Sequence, residues 1–165
     1  ARAARVFDAV DDCSRLVFGK VFDGHSQKES VEFVNRLILA MPFTIKAIRT
    51  DCGGEFGKVF TEHLAKLGIE HRKNPPYTPQ HNGKIERYHR TFKENEGYFW
   101  PFHGSLDELN YRLQLWLFRY NFKRKHSGLH MYRLTPAQKV LHASFYKPMQ
   151  PHLKNVTGTL QLNKV

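Results

Sequence analysis

The sequence is poor in cysteine and contains no long apolar segment. Only Cys13 and Cys52 are present among 165 residues. Two isolated cysteines fit a reducing compartment better than a disulfide framework. They cannot form a zinc finger, because there is no C-x-x-C pair and the ten histidines are scattered. No apolar run approaches the roughly 18 residues of a membrane-spanning helix, and we find no signal-peptide pattern. We therefore expect a cytoplasmic protein without a membrane partner.

Acidic residues are missing from the last third of the chain. Residues 109–165 contain ten Lys and Arg but no Asp or Glu, whereas residues 1–108 contain sixteen basic and fifteen acidic side chains. The whole chain carries a formal charge of +11. Such a distribution predicts a polyanionic partner, most simply nucleic acid. The alternative is a solvated basic surface that serves only solubility.

The apolar pattern predicts one α/β domain with a mixed sheet flanked by helices. The chain is 41% hydrophobic, enough for a full core, and strand-like runs alternate with helical ones. We predict strands at about 5–10, 15–22, 44–50 and 69–73, and helices at about 25–41, 58–68, 80–99 and 104–122. Residues 1–140 are expected to form the domain, and residues 141–165 a basic C-terminal tail.

Two carboxylates are notable for their positions. Asp51 follows the buried strand "TIKAIRT", at the strand end where open α/β sheets place ligands. Glu86 lies in the first turns of a helix, and Arg90 and Lys93 follow on the same face at i+4 and i+7. Carboxylates on rigid elements suit a hard divalent cation, and basic neighbours suit a phosphate backbone. The ordinary alternatives are a turn or cap role for the Asp and a surface ion pair for the Glu.

Three blocks of sequence resemble a known family. "IRTDCGGEF", "YTPQHNGKIERYHRTFKE" and "YNFKRKHSGLHMYRLTP" are similar, in order, to signature blocks of the retroviral-integrase-type catalytic core of bacterial insertion-sequence transposases. The resemblance extends from about Val6 to Val140. It implies a ribonuclease H-like fold and metal-dependent cleavage and strand transfer on transposon DNA. The implied partners are the transposon ends, the target DNA and further copies of the chain.

The resemblance also implies roles for individual residues. The family holds two Mg²⁺ (or Mn²⁺) ions with an Asp-Asp-Glu triad, and its second Asp and its Glu match Asp51 and Glu86. Glu55 belongs to a family block but matches no metal ligand, so we expect a structural role for it. We expect Tyr120, Asn121, His126 and Pro136 to dock the last helix. The expected DNA-binding residues are Asn82, Lys84, Arg87, Arg90, Lys93, Lys123, Arg124 and Lys125; Asn82 has a helix cap as its alternative role.

The first Asp of the triad has no clear counterpart. In the family it lies on a central first strand, upstream of the block that "VDDCSR" matches, and this sequence starts only a few residues before that block. Asp8, in the strand that follows, is a candidate for this ligand, although no hairpin can precede it here, and Asp11 and Asp12 match the turn after that strand. We therefore expect the family's first strand to be lacking. Its place would be filled by a partner chain, a swapped element or an upstream segment absent from this sequence, or the sheet would be rearranged.

Two other functions stay open at this point. The chain could be a non-catalytic, DNA-binding remnant of a transposase that keeps the fold. A structured-RNA binder is the weaker alternative, because no aromatic stacking motif of an RNA-binding module is present. Metal binding and nicking of DNA would separate the catalytic function from the remnant.

Overall fold

A computed structural model describes residues 4–75, 83–96, 104–145 and 157–164. The strands are β1 (Arg5–Asp11), β2 (Val17–Phe22), β3 (Thr44–Thr50), β4 (Glu70–Lys73) and β5 (Thr157–Lys164). The helices are α1 (Gln27–Ala40), α2 (Lys58–Lys66), α3 (Gly83–Glu96), α4 (Leu106–Phe118) and α5 (Pro136–Phe145). A 3-10 turn covers Gly54–Phe56, and a π-helical turn, Arg119–Lys123, continues α4. The predicted α/β class with a mixed sheet is confirmed.

The sheet has the strand order β2-β1-β5-β3-β4. β1 is antiparallel to both β2 and β5, whereas β3 is parallel to both β5 and β4. The last strand in sequence therefore occupies the centre of the sheet, between β1 and β3. A central strand is expected there because the ladder groups of β1 and β3 would otherwise be buried without partners.

The position of β5 differs from the expected tail. Residues 141–165 are the predicted basic tail, but Thr157–Lys164 of that segment lies in the sheet and residues 136–145 form α5. The helix has a start signal in the sequence: the Gln138 amide N–H donates to Thr135 Oγ1 (3.2 Å) and the Thr135 N–H to Gln138 Oε1 (3.0 Å). This is a capping box with Pro136 at the first helical position, where proline is favourable.

The two faces of the sheet are packed by different helices. α1 and α2 cover one side, which we call the phenylalanine face; Phe7, Phe33, Phe56, Phe60 and Leu64 are all fully buried there. α3 and α4 cover the other side, which we call the tyrosine face; its core is formed by Val6, Val10, Ile85, Tyr88, Leu113, Trp116 and Tyr120. The predicted apolar stripe of α3, which is Ile85, Tyr88 and Phe92, is buried as expected.

Side-chain amides of α4 and the π-helical turn close the outer edge of β2. Three amides bond to the backbone of every second residue of this strand, which satisfies groups that an open edge would expose. Asn121 and Asn110 each both donate to and accept from one β2 residue, and Gln114 donates to a third. The bonded backbone residues are Val17, Gly19 and Val21.

Of the helices in the described ranges, none is long and apolar enough to cross a membrane.

Candidate active site

Asp51 lies at the carboxyl end of β3 on the tyrosine face. Thr50 is fully buried on the opposite side, where its hydroxyl lies 2.9 Å from His71 Nε2 and 2.8 Å from the Asp51 carbonyl oxygen. Because side chains alternate along a strand, Arg49 and Asp51 are directed toward α3. Asp51 is partly buried, and its Oδ1 accepts the backbone N–H of Gly53 at 2.9 Å.

Glu55 directs its carboxylate toward Asp51. A side chain at Gly53 would place its Cβ 2.6 Å from Glu55 Oε2 and 3.0 Å from Asp51 Oδ1, so both oxygens crowd the same point. The Glu55 side chain is 9% exposed, and its backbone carbonyl accepts the Ser30 hydroxyl at 2.6 Å. Its backbone therefore has the expected structural role. Its carboxylate, however, is a second acidic group beside Asp51, a position that the expected structural role does not include.

Glu86 is exposed in the first turn of α3, and Arg90 and Lys93 are exposed on the same side of the helix. Within the described ranges Glu86 forms no ion pair, so the ordinary surface-pair alternative has no support there. Among the described residues, no three His, Cys, Asp or Glu side chains lie close enough together to hold a metal ion. Shared metal ligation by Asp51 and Glu86 stays a prediction.

Asp8 is engaged by a histidine. Its carboxylate is 1% exposed, and its two oxygens lie 3.0 and 3.1 Å from Nε2 of His89 on α3. Burial raises the pKa of Asp8, and the interaction with His89 opposes this shift. Asp12 lies in the β1–β2 turn as expected, whereas Asp11 is the last residue of β1. Asp11 Oδ2 accepts the N–H and the hydroxyl of Ser14, and burial raises the pKa of Asp11.

The centre of the sheet brings an asparagine level with the two aspartates. Asn163 of β5 pairs with Asp8 of β1. Leu162 pairs with Thr50, so the next step along these parallel strands places Asn163 level with Asp51. The central strand therefore has an asparagine at the level where β1 has Asp8 and where Asp51 follows β3.

The expected DNA-binding residues fall into three groups. Arg87, Arg90, Lys93, Lys123, Arg124 and Lys125 are exposed. Lys84 is tied to the β1–β2 turn, because its Nζ lies 3.1 Å from Asp12 Oδ1 and donates to the Asp12 carbonyl at 3.0 Å. Asn82 lies outside the described residues.

Tyr120 and Asn121 are buried, and the Tyr120 ring packs edge-on against Tyr88 and His126.

Four residues near these groups have no role among the expectations from the sequence. They are Arg15, Arg49, His89 and Asn163. Arg49 could be predicted from the sequence to lie on the same face as Asp51, because it precedes Asp51 by two positions along the extended chain. His89 lies at i+3 from Glu86 beside the apolar stripe of α3, but its partner Asp8 is 81 positions away, so only the fold brings them together.

Comparison with known proteins agrees with this arrangement. Two family models, both described as "Integrase core domain", match residues 1–79 and 67–136. The chain is 30% identical over 141 residues to "Putative integrase ORF3" of Spiroplasma virus SpV1-C74, covering 75% of this chain but 39% of that protein. It is 47% identical over 51 residues to the Pol polyprotein of transposon TNT 1-94 of Nicotiana tabacum, covering 30% of this chain and 4% of that protein.

Solved structures give the same assignment. The catalytic core domain of BIV integrase superposes with a TM-score of 0.67 at 26% identity, covering 87% of this chain and 89% of that one. A chain of the simian T-cell lymphotropic virus intasome in complex with the PP2A regulatory subunit B56 gamma superposes with a TM-score of 0.62 at 21% identity, covering 82% of this chain and 47% of that one, which supports the fold alone. The chain belongs to the integrase core family and has its ribonuclease H-like fold. An origin in a bacterial insertion sequence stays a prediction.

Proposed function

We propose that this chain is the catalytic core of a DNA-integrating or transposing enzyme that cleaves and joins phosphodiesters. The main support is the placement of Asp51. It ends β3 on the face covered by α3, the helix that presents Glu86 beside two exposed cations, Arg90 and Lys93, in a chain of the integrase core family. The proposed partners are DNA, as transposon ends and target, and further copies of the chain. Cys13 and Cys52 are free and exposed, which suits the proposed cytoplasmic location.

The proposed cofactor is Mg²⁺ or Mn²⁺. Asp51 and Glu86 would hold it, and the Glu55 carboxylate, directed at the same point as Asp51, is a further oxygen donor at hand. When bound, such ions activate an attacking hydroxyl and stabilise the leaving oxygen of an in-line displacement. Arg90 and Lys93 would bind the phosphate backbone beside the carboxylates, which offsets the repulsion between those carboxylates and DNA. Gly53 leaves the space between the two acidic oxygens open.

A second function is favoured by one observation. Asn163 occupies the centre of the sheet level with Asp8 and Asp51, and an amide residue there supplies no negative charge for a cation. This arrangement suits a DNA-binding remnant that keeps the fold without the chemistry. It also suits a catalytic core whose active form has another strand in that position.

The test is nicking of supercoiled DNA in the presence of Mn²⁺. We expect no detectable nicking by this chain and measurable nicking by Asn163→Asp, because the substitution supplies a third carboxylate level with Asp51. That activity should disappear when Asp51→Asn or Glu86→Gln is added. Circular dichroism and thermal unfolding would confirm that all variants fold.

Each outcome separates the two functions. Nicking by the unaltered chain that Glu86→Gln abolishes would show that the active site is complete. It would contradict the expectation that the first Asp of the triad is missing. Absence of nicking in Asn163→Asp, with DNA binding and fold intact, would favour the non-catalytic remnant. Nicking that survives both Asp51→Asn and Glu86→Gln would remove these residues from the proposed site.

A further inference from the structure

A cavity of about 540 Å³ opens on the tyrosine face beside α3. Its walls are the β1–β2 turn, one side of α3 and the segment that follows the π-helical turn. We call this cavity the basic pocket. It is lined by six cationic side chains and a single carboxylate, that of Asp12; the cations are Arg15, Arg49, Lys84, Arg87, Arg124 and Lys125.

The positive charge of the basic pocket is largely uncompensated. Lys84 pairs with Asp12 at 3.1 Å. No Asp or Glu side chain of the described ranges forms an ion pair with any of the other five cations. The Arg15 guanidinium donates to the carbonyl of Asp12, a neutral group. Like charges gathered in one concave site repel each other, and an anion bound among them would remove that repulsion.

Two ring side chains show that the arginines converge. Burial raises the pKa of Tyr120 to about 12, and Arg124, Arg15 and Arg87 all act against this shift. Burial lowers the pKa of His126 to about 4, and Arg124 and Arg15 lower it further. His126 is therefore neutral at pH 7. Its buried Nε2 has no hydrogen-bond partner among the described residues.

The basic pocket is separate from the side of α3 that carries Glu86. Lys84, Arg87 and Thr91 line it at i, i+3 and i+7, and therefore share one side of the helix. Glu86 and Arg90 share another side at i and i+4. A DNA strand that follows the exposed cations of α3 would pass the mouth of the pocket.

We propose that the basic pocket binds a backbone phosphate of DNA, with Arg15, Arg87 and Arg124 as its main ligands. Guanidinium groups present paired N–H donors that match phosphate oxygens, and three of them converge here. A cavity of this volume admits a phosphate with its sugar and excludes a duplex. The proposal rests on the DNA-binding part of the proposed function and not on its chemistry.

The test is the double substitution Arg87→Ala/Arg124→Ala, with DNA affinity measured by fluorescence anisotropy on a random duplex over a range of salt. The matched control is Lys28→Ala/Lys66→Ala, which removes the same charge from exposed positions on the helices of the phenylalanine face. We expect the pocket variant to lose about tenfold or more in affinity and its log–log salt slope to fall by about two, while the control changes little. Thermal stability of the pocket variant should stay equal or rise, because repulsion is removed; a purely structural role would lower it.

A second arm uses inorganic phosphate as the probe. Phosphate should raise the melting temperature of the unaltered chain and of the control more than that of the pocket variant, at ionic strength matched with chloride. Equal DNA affinity of pocket variant and control would overturn the proposal. So would a phosphate effect without a DNA effect, which would indicate a free-anion site. A loss of DNA affinity in the pocket variant, with no nicking by any variant, would leave the pocket standing and reject only the proposed chemistry.

Discussion

The two faces of the central sheet differ in what they bury. The phenylalanine face is filled by aromatic rings, and neighbouring rings among Phe7, Phe33, Phe56 and Phe60 lie 5.2–6.4 Å apart. Its buried polar groups are mainly hydroxyls that form hydrogen bonds; the Ser30 hydroxyl, for example, donates to the Glu55 carbonyl oxygen at 2.6 Å. The tyrosine face instead buries an ionisable pair, Asp8 with His89, and borders the basic pocket and Asp51.

This difference assigns stability mainly to the phenylalanine face and the functional charged groups to the tyrosine face. Apolar rings that are buried away from water stabilise the fold and need no hydrogen-bond partner. A buried carboxylate is costly unless it is paired and hydrogen-bonded. The ionisable groups of the tyrosine face therefore reduce the stability that an apolar core would give at the same place. We infer that the fold is held mainly by the phenylalanine face and that the other face can carry costly charged groups. The following experiments test this division.

The largest expected effect comes from the phenylalanine face. Phe33→Ala removes a fully buried ring that packs against Phe7 and Phe18, and should lower the free energy of unfolding by about 3–5 kcal/mol. Urea denaturation monitored by circular dichroism measures this. The control is Leu39→Ala on the same helix, where the side chain is 88% exposed and the change should stay within about 0.5 kcal/mol. A cost for Phe33→Ala below about 1 kcal/mol would contradict the division.

A somewhat smaller effect, dependent on pH, is expected from the tyrosine face. His89→Leu leaves the Asp8 carboxylate buried without its partner, which should cost about 2–4 kcal/mol at pH 7. The pKa of Asp8 is already raised by burial, so its contribution to stability is fully present only below the unfolded value of 3.8 and is lost as pH rises through the folded value. Without His89 that pKa rises further, and the loss grows with pH.

The measurement compares His89→Leu with the unaltered chain by urea denaturation at pH 4 and pH 7. The deficit should be clearly smaller at pH 4, where Asp8 can take up a proton. Adding Asp8→Leu to His89→Leu should restore much of the stability at pH 7, because an apolar pair replaces the unpaired charge. A deficit of equal size at both pH values would show that His89 acts through packing alone.

Local patterns explain most of the fold. The strands β1 to β4 and the helices α1 to α4 follow from apolar periodicity, and the start of α1 has the capping-box spacing of Ser26 and Glu29. The helix α5 was missed although Thr135, Pro136 and Gln138 form a recognisable start signal. Basic composition alone therefore does not distinguish a tail from a helix that begins with a capping box.

The remaining features depend on contacts between distant segments. β5 has a short alternating pattern of its own, but its place between β1 and β3 follows only from the need of those strands for partners. The pairing of Asp8 with His89 and the pocket formed with Arg15 and Arg124 join segments that lie far apart in sequence. Periodicity describes each segment alone and does not report which segments meet.

The smallest expected effect compares a helix start on each face. Ser26 begins α1 with a complete capping box, because it accepts from the Lys28 N–H and Glu29 Oε2 accepts the Ser26 N–H. Ser105 begins α4 with one such bond, from the Glu108 N–H at 3.2 Å. Alanine at either position should cost roughly 0.5–2 kcal/mol, with Ser26→Ala the more costly. Urea denaturation of both variants measures the difference. If Ser105→Ala were the more costly, α4 would matter more to stability than its face suggests, and the assignment of stability to the phenylalanine face would be weakened.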